Sequence, residues 1–261
     1  MQNKPEICAV IQARLSSTRL PGKILKPLGD KTILERVIER VSRIKGLDSV
    51  VVAIPDNAEH DELERAISGF DKSAFGTPVS CVRGSEDNVL DRTLKAARSV
   101  GAGILMRITS DCPFVDPKAS GDLLESFLES GVDYARFNSE KGYPLGFDTE
   151  VARVAALETA MANNPDDFER EHATPYVWRR PEQFKTKIIT GSPDHRDWRL
   201  VIDESRDYEF AKALYSRLEK RAHIFTYDDI CDVLTAEPEL LDINRDIKQK
   251  AMIGRKDEST G

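Results

Sequence analysis

The chain has 261 residues, with 38 Lys and Arg against 45 Asp and Glu, and a formal net charge of −7. Hydrophobic residues make up 40% and charged residues 32%, the composition of an ordinary globular protein. A chain of this length forms one large α/β domain or two small domains. The negative charge argues against a protein that coats nucleic acid, so we expect no nucleic-acid partner. Small phosphorylated ligands are compatible with it.

The hydrophobic pattern predicts no membrane partner. The longest uninterrupted apolar stretches, residues 7–11 and 50–54, are far shorter than the roughly 20 residues of a membrane span. The polar start of the chain leads into a stretch too short for the core of a signal peptide. The cysteines form no CxxC pair, and we expect them to stay reduced, which favours a cytoplasmic location. They are Cys8, Cys81, Cys112 and Cys231.

Short β-branched runs alternate with amphipathic segments through the first half of the chain. The runs are apolar on both faces, as strands covered by helices on both sides are; they span 7–12, 49–54, 79–83 and 104–108. The amphipathic segments predict helices over 32–44, 61–70 and 87–100. This alternation predicts a three-layer α/β/α fold with a mainly parallel sheet.

The rhythm changes after Gly131. The patterns predict strands over 134–137, 147–154, 184–189 and 198–202, and helices over 155–163, 168–179 and 205–221. We interpret 139–192 as an insertion that leaves the main sheet, and its aromatic residues favour an interface in a homodimer. These are Tyr143, Phe147, Phe168, Tyr176 and Trp178. We predict one domain over 1–253, followed by a polar tail over 254–261.

A basic, hydroxyl-rich loop follows the first strand, where open α/β sheets bind ligands. Cations neutralise triphosphate charge, and hydroxyls and free amides bind its oxygens. The loop combines these groups in Arg14, Ser16, Ser17, Thr18, Arg19, Gly22 and Lys23. It is not a Walker A loop, because GxxxxGK[ST] is absent. The alternative is a surface loop with incidental charge.

Two carboxylates follow predicted strands and are candidate ligands of Mg²⁺. Asp111 comes after the strand over 104–108, and Asp203 comes after the strand over 198–202. Ends of parallel strands meet at one sheet edge, and octahedral Mg²⁺ takes one or two carboxylates together with phosphates and waters. The alternatives are a turn cap before Pro113 for Asp111 and a helix-start acid for Asp203.

Three further places carry weaker candidates. Arg83 and Ser85 precede a predicted helix start, which suits nucleotide contacts, and the alternative there is a capped helix start. The candidates for binding the acceptor are Asp148, Glu150, Glu171 and His172. The alternatives are a solvated strand edge for Asp148 and Glu150 and a packed or capping residue for His172. Neither GxSxG nor HExxH occurs, which argues against hydrolases.

Residues 12–23, Gln-Ala-Arg-Leu-Ser-Ser-Thr-Arg-Leu-Pro-Gly-Lys, resemble the N-terminal signature of cytidylyltransferases that make CMP-activated acidic sugars. CMP-Kdo synthetases and spore coat polysaccharide biosynthesis protein F are the most similar in pattern. Weaker blocks follow in the expected order, at 109–113, 145–151, 171–176, 201–209 and around Asn244. Ser110 stands where the sugar-acid branch often has glycine, which resembles the spore-coat branch more closely.

The resemblance implies a glycosyltransferase-A-like (Rossmann-like) nucleotide fold, CTP and Mg²⁺ as cosubstrates, and a homodimer. It matches Asp111 to the family's metal-binding aspartate. We predict catalytic roles for Arg14, Lys23 and Asp111. We predict nucleotide contacts for Ala13, Arg14, Ser16, Ser17, Arg19, Lys23, Arg83 and Ser85.

The predicted reaction transfers CMP from CTP to a small acidic acceptor, such as an acidic sugar, and releases pyrophosphate. It would serve the biosynthesis of surface polysaccharides or glycoconjugates. Two alternatives stay open. One is a glycosyltransferase that uses a nucleotide sugar on the same fold, although no DxD motif follows a predicted strand. The other is a non-catalytic nucleotide-binding protein, which has no need for both the loop cations and the carboxylates.

Overall fold

The computed structural model describes residues 5–249. A seven-stranded sheet has the order β5-β4-β1-β6-β8-β7-β9, and β2 and β3 form a separate two-stranded hairpin. The strands are β1 (Glu6–Gln12), β2 (Pro27–Leu28), β3 (Lys31–Thr32), β4 (Ser49–Pro55), β5 (Val79–Gly84), β6 (Ala102–Thr109), β7 (Tyr134–Phe137), β8 (Glu150–Arg153) and β9 (Thr186–Ile189).

Helices cover both faces of this sheet. They are α1 (Ile33–Val41), α2 (Asp61–Gly69), α3 (Val89–Ser99), α4 (Pro117–Ser130), α5 (Val154–Ala162), α6 (Asp167–His172), α7 (Pro175–Trp178), α8 (Ser205–Leu218) and α9 (Tyr227–Ala236). Thr32 caps the first of these helices, because its hydroxyl accepts the amide of Glu35. The sequence patterns did not single out α4 or α9.

The two faces of β1 belong to two hydrophobic cores. Ile7, Ala9 and Ile11 pack in the core shared with α1, α4, α8 and α9. Cys8 and Val10 pack in the core under α3, α5 and α7. A strand buried on both faces is apolar at every position, which explains the continuous apolar runs. The predicted three-layer α/β fold with a mainly parallel sheet is confirmed.

The expectation that 139–192 leaves the main sheet is wrong. Strand β8 pairs antiparallel with both β6 and β7, and β9 pairs parallel with β7. Three of the aromatic residues that suggested an interface, Phe147, Phe168 and Tyr176, are buried within the chain's own core. The homodimer stays a prediction without support from those three residues.

Three other predicted elements differ in the structure. Residues 198–202 form no strand, because their only ladder contact is one isolated parallel bridge between Leu145 and Arg199. The helix predicted over 168–179 is divided into α6 and α7, because Ala173 has a φ of 67° and interrupts the helical hydrogen bonds. Predicted strand 147–154 begins only at Glu150, where pairing with β6 starts.

No helix in the described part of the chain is long and apolar enough to cross a membrane. All four cysteines are free, as expected, with Cys8 and Cys112 buried. The predicted tail over 254–261 lies outside the described residues, so the domain limits stay a prediction.

Candidate active site

The loop after β1 turns back sharply and directs Lys23 into the protein. The amide of Ala13 continues the sheet by donating to Ala53 O over 3.1 Å. The Ser17 hydroxyl accepts the amide of Leu20 over 3.3 Å. Gly22 then adopts a φ of 64°, which glycine tolerates without the steric cost that a side chain adds, and a 3-10 turn begins at Lys23.

Lys23 bridges Asp111 and Asp203, the two carboxylates predicted to bind Mg²⁺. Its Nζ donates to Asp111 Oδ2 over 2.7 Å and to Asp203 Oδ1 over 2.8 Å. The third ammonium proton is directed at Ile202 O, at 2.7 Å. All three donors of the ammonium are therefore satisfied, and the side chain is buried with 10% exposure.

Backbone contacts bring Asp111 and Asp203 together. The amide of Ile202 donates to Asp111 O over 2.9 Å, which ties the segment before Asp203 to the residues after β6. The two carboxylates thus meet as predicted, although Asp203 follows an extended segment and not a sheet strand. The N-cap of α8 is Glu204, in a capping box with Asp207, so the alternative that Asp203 caps this helix does not apply.

The carboxylate of Asp203 is surrounded by cations. Its Oδ2 lies 3.1 Å from the guanidinium of Arg19 and 3.2 Å from that of Arg199. Burial raises the pKa of Asp203, but the charge and hydrogen bond of Lys23 outweigh this, so the net pKa lies below its ordinary value. Burial likewise opposes the charged form of Lys23, yet the two carboxylates raise the pKa of its ammonium. Asp203 and Lys23 are therefore both charged at neutral pH.

The carboxylates of Asp111 and Asp203 fit Mg²⁺ as hard oxygen ligands already gathered around one cation position. No group of three or more His, Cys, Asp or Glu side chains that could hold a metal occurs among residues 5–249. This part of the chain thus offers two carboxylates at most. Such a pair suits Mg²⁺, which usually keeps several waters and binds substrate phosphates as well.

A second charged group lies where the loop approaches the start of α3. Burial and the charge of Arg14 lower the pKa of Arg92 to about 10. The guanidinium of Arg92 is directed at the carbonyl oxygens of Ser85 and Glu86, and its Nε is buried without a partner. Two arginines near each other create a positive field that attracts an anion. Arg14 itself is exposed.

A cavity of about 440 Å³ opens beside Arg14 and the residues before α3. Glu171 of α6 forms part of its lining, so one predicted acceptor residue and one predicted nucleotide residue face the same space. The complete lining is Arg14, Glu86, Asp87, Asn88, Val89, Asp167, Arg170 and Glu171.

Other predicted nucleotide residues are differently engaged. The Arg83 guanidinium pairs with Asp61 and Glu64 at 2.7 and 2.9 Å, which ties β5 to α2 and directs the charge away from the loop. The Ser85 hydroxyl accepts the amide of Asn88 at the start of α3, which matches the alternative of a capped helix start. The Ser16 hydroxyl is exposed and lies 3.4 Å from Glu86 Oε1.

Glu150 belongs to a buried polar network and not to an open binding surface. Its carboxylate pairs with Arg107 over 2.7 Å and accepts the hydroxyl of Thr174 over 3.0 Å. It also accepts the hydroxyl of Tyr134. Three donors already engage Glu150, which favours a supporting role, and its direct contact with the acceptor stays a prediction.

Of the other predicted acceptor residues, Asp148 and His172 are half-buried and Glu171 lies at the surface. Burial raises the pKa of Asp148 to about 6, and the charges of Glu150 and Asp111 add to this effect. Burial, together with the charge of Arg107, lowers the pKa of His172, so its ring is neutral at pH 7. Glu171 is exposed. Asp111 acts electrostatically on Asp148, so these two carboxylates lie in the same region, while the acceptor roles of Asp148, His172 and Glu171 stay predictions.

A family model described as cytidylyltransferase matches residues 8–256 of the chain. The chain belongs to the cytidylyltransferase family. Spore coat polysaccharide biosynthesis protein SpsF of Bacillus subtilis is 32% identical over 241 residues, covering 90% of this chain and 96% of that protein. A 3-deoxy-manno-octulosonate cytidylyltransferase of Geobacter sulfurreducens is 31% identical over 124 residues, 48% of this chain and 46% of that enzyme.

Among solved structures, a cytidylyltransferase from Leptospira borgpetersenii superposes with a TM-score of 0.84 at 30% identity. The match covers 95% of this chain and all of that one. Membership in this family of nucleotidyltransferases confirms the resemblance drawn from residues 12–23 and makes the chain an enzyme of that class.

Three arginines of this cytidylyltransferase site were not found from the sequence. Arg92 lies within the first turns of α3, and Arg107 lies within β6, where burial of a cation is exceptional. Arg199 pairs with Asp207 over 2.8 Å as well as with Asp203. A charged residue inside an apolar run is the signal for Arg107. Arg92 and Arg199 carry no comparable local signal, because each contacts its partners across the start of a helix and not at a regular spacing within one element.

Proposed function

We propose that this cytidylyltransferase transfers CMP from CTP to an acidic sugar or a similar small acceptor, releasing pyrophosphate. The observation that carries the proposal is the junction of Lys23, Asp111 and Asp203 at the sheet edge beside the cationic loop. The names of two relatives support the acceptor class, since one acts on 3-deoxy-manno-octulosonate and the other serves spore coat polysaccharide synthesis. The proposed role is in surface polysaccharide or glycoconjugate biosynthesis.

In the proposed mechanism an acceptor oxygen attacks the α-phosphorus of CTP, and pyrophosphate leaves on the opposite side. Arg14, Arg19 and Lys23 offset negative charge on the triphosphate, and Arg92 reinforces the field around Arg14. Asp111 and Asp203 would hold Mg²⁺, which supplies further neutralisation of the phosphate oxygens. The reaction needs positioning and electrostatic stabilisation and no covalent nucleophile.

On the acceptor side, Asp148 and His172 are candidates to bind acceptor hydroxyls. The Asp148 carboxylate accepts one hydrogen bond, from the amide of Gly146 over 3.1 Å, which leaves acceptor capacity. The neutral ring of His172 can donate and accept. Glu171 faces the cavity beside Arg14 and would contact the acceptor from its solvent side.

The direct experiment measures pyrophosphate release with each of the four nucleoside triphosphates, Mg²⁺ and a panel of acidic sugars that includes 3-deoxy-manno-octulosonate. We expect release with CTP only, and only when an acceptor is present. Thermal-shift titration tests nucleotide choice independently, because a ligand at 100-fold its Kd stabilises the protein by about 2.7 kcal/mol. A larger shift with ATP or UTP than with CTP would contradict the choice of base.

The proposed homodimer and the cytoplasmic location need separate tests. Light scattering gives the mass in solution directly. A mass near 29.3 kDa across micromolar concentrations would contradict the dimer.

A further inference from the structure

We propose that the Lys23 ammonium occupies the metal position in the nucleotide-free enzyme and leaves it only when a triphosphate offers a new anionic partner. The inference rests on the proposed assignment of Asp111 and Asp203 as the ligands of Mg²⁺. Lys23 would then have two roles. It is a positioning residue that controls when the metal binds, and it is a cation that faces the phosphates.

Lys23 and a divalent ion compete for the same space. Nζ lies 2.7 Å from Asp111 Oδ2 and 2.8 Å from Asp203 Oδ1, so it bridges the carboxylates as a metal would. Mg²⁺ needs these oxygens at roughly 2.0–2.1 Å and carries waters on its remaining positions. The ammonium cannot stay between the carboxylates while such an ion binds them. Occupation by Lys23 and by the metal is therefore mutually exclusive.

Both oxygens of Asp203 already contact cations, so a metal that bound beside Lys23 would meet the positive charge of these neighbours. Its Oδ1 accepts Lys23, while its Oδ2 contacts Arg19 and Arg199 at 3.1 and 3.2 Å. The arrangement is also firmly held, because Arg199 is buried and pairs with Asp207. A metal that enters must displace a cation from Asp203.

Displacing Lys23 without a replacement partner is unfavourable. The side chain is buried, and Ile202 O is the one acceptor outside the carboxylates that the structure places on Nζ. A buried ammonium that loses its counter-ions carries a large desolvation cost. A triphosphate removes this obstacle, because the flexible four-carbon side chain of Lys23 can turn to phosphate oxygens. Metal and nucleotide are therefore expected to bind together, and the metal alone weakly.

The test is a titration of the full chain with Mn²⁺ in the absence of nucleotide. The electron paramagnetic resonance signal of free Mn²⁺ reports how much of the ion is bound. We expect weak binding by the wild-type protein and at least tenfold tighter binding by Lys23→Met, which frees both carboxylates. A Mn²⁺-dependent rise in melting temperature should accompany it. Adding Asp111→Asn to Lys23→Met should abolish the gain, since it removes one of the two ligands.

Lys31→Met is the matched control. Lys31 also faces two carboxylates, Glu39 at 3.0 Å and Glu35 at 4.0 Å, but Glu39 keeps Arg36 at 3.3 Å. Removing Lys31 should therefore not create a metal site. Circular dichroism identifies a misfolded variant, and Lys23→Gln replaces Lys23→Met if the latter does not fold.

Equal Mn²⁺ affinity in wild-type and Lys23→Met would overturn the proposal. Tight Mn²⁺ binding by the wild-type protein in the absence of nucleotide would also overturn the proposal, whatever the affinities of the variants are. A gain that persists with Asp111→Asn would place the metal elsewhere and contradict the exchange. Because the titration contains no nucleotide or acceptor, its outcome is independent of whether CTP and acidic sugars prove to be the substrates.

Discussion

The amide of Ile202 donates a 2.9 Å hydrogen bond to the carbonyl oxygen of Asp111. This main-chain bond joins the segment after β6 to the segment before α8, independently of the carboxylates that the two segments carry. Side-chain substitutions at Asp111 and Asp203 therefore change charge while the backbone contact persists. The roles of these carboxylates can be tested separately from the fold.

Asp111→Asn and Asp203→Asn should each lower pyrophosphate release by about 100-fold or more, because the change removes a negative ligand of similar size. The double variant should be scarcely slower than either single variant, since both residues act through one ion. Steady-state rates at saturating CTP give the comparison. Near-wild-type rates in a single variant would exclude that residue from the site.

The same substitutions should differ in their effect on stability without nucleotide. Asp203→Asn removes the counter-charge of Lys23, Arg19 and Arg199 and should cost about 3 kcal/mol in the free energy of unfolding. Asp111→Asn removes a more exposed partner of Lys23 alone and should cost about 1 kcal/mol. Urea unfolding at pH 7 measures both, and equal losses would contradict the expectation.

The effect of Asp203→Asn should also depend on pH. The pKa of Asp203 is lowered in the folded state, so its contribution to stability is present above the unfolded pKa of roughly 3.9. It is lost as the pH falls through the lower folded pKa. The difference in unfolding free energy between wild type and variant should shrink progressively below pH 4. A constant difference down to pH 2 would contradict this assignment.

Arg14→Ala should weaken CTP binding about tenfold or more and leave the melting temperature of the free protein nearly unchanged. Arg14 is exposed, and exposed substitutions typically change stability by less than about 0.5 kcal/mol. Arg92→Ala should weaken CTP binding and also cost about 1–3 kcal/mol in the free energy of unfolding, because it leaves the half-buried carbonyl groups of Ser85 and Glu86 without this donor. Calorimetric titration and urea unfolding separate the two effects.

Asp148→Asn should stabilise the protein at pH 8 and impair turnover of the acceptor. The folded pKa of about 6 lies above the unfolded value, so ionisation of Asp148 costs stability as the pH rises from about 4 to 6. Removing the charge should recover about 1 kcal/mol above pH 6, less than the whole shift because the side chain is partly exposed. The gain should vanish near pH 4. Loss of stability at pH 8 would contradict it.

Glu150→Ala should destabilise the protein by about 3–5 kcal/mol, because it leaves the buried guanidinium of Arg107 without its carboxylate. Glu171→Ala is the control, since Glu171 is exposed and should change the free energy of unfolding by less than about 0.5 kcal/mol. Urea unfolding of the two variants gives the comparison. A similarly small loss of unfolding free energy in both variants would instead favour direct contact between Glu150 and the acceptor.

The regular part of the fold could be predicted because strands buried on both faces leave an unmistakable apolar run. Strand β4 is an example, with all seven residues buried. After β7 strands could be predicted but their place in the sheet could not, because a strand such as β8 has only four residues and gains its place from pairing with β6 and β7. Pairing between distant segments leaves no periodic pattern in a short strand.

The candidate site could be predicted from the sequence where several functional residues lie close together in one segment, as in the loop that ends at Lys23. Asp111 was found because a carboxylate directly after an apolar run indicates a sheet edge. The ion pairs of Arg83, on β5, could not be predicted, because its partners Asp61 and Glu64 lie on α2 and no local pattern reports such a pairing.

Ala173, between α6 and α7, has a φ of 67° and a ψ of −43°, and the amide of Thr174 bonds back to His172 O over 2.9 Å. This is a γ-turn of the rare kind with positive φ, and its strain amounts to about 1–3 kcal/mol. The strain lowers the free energy needed for α6 to open locally away from α7. Glu171, which borders the cavity beside Arg14, lies two residues before this turn, so a local opening at the turn would move it.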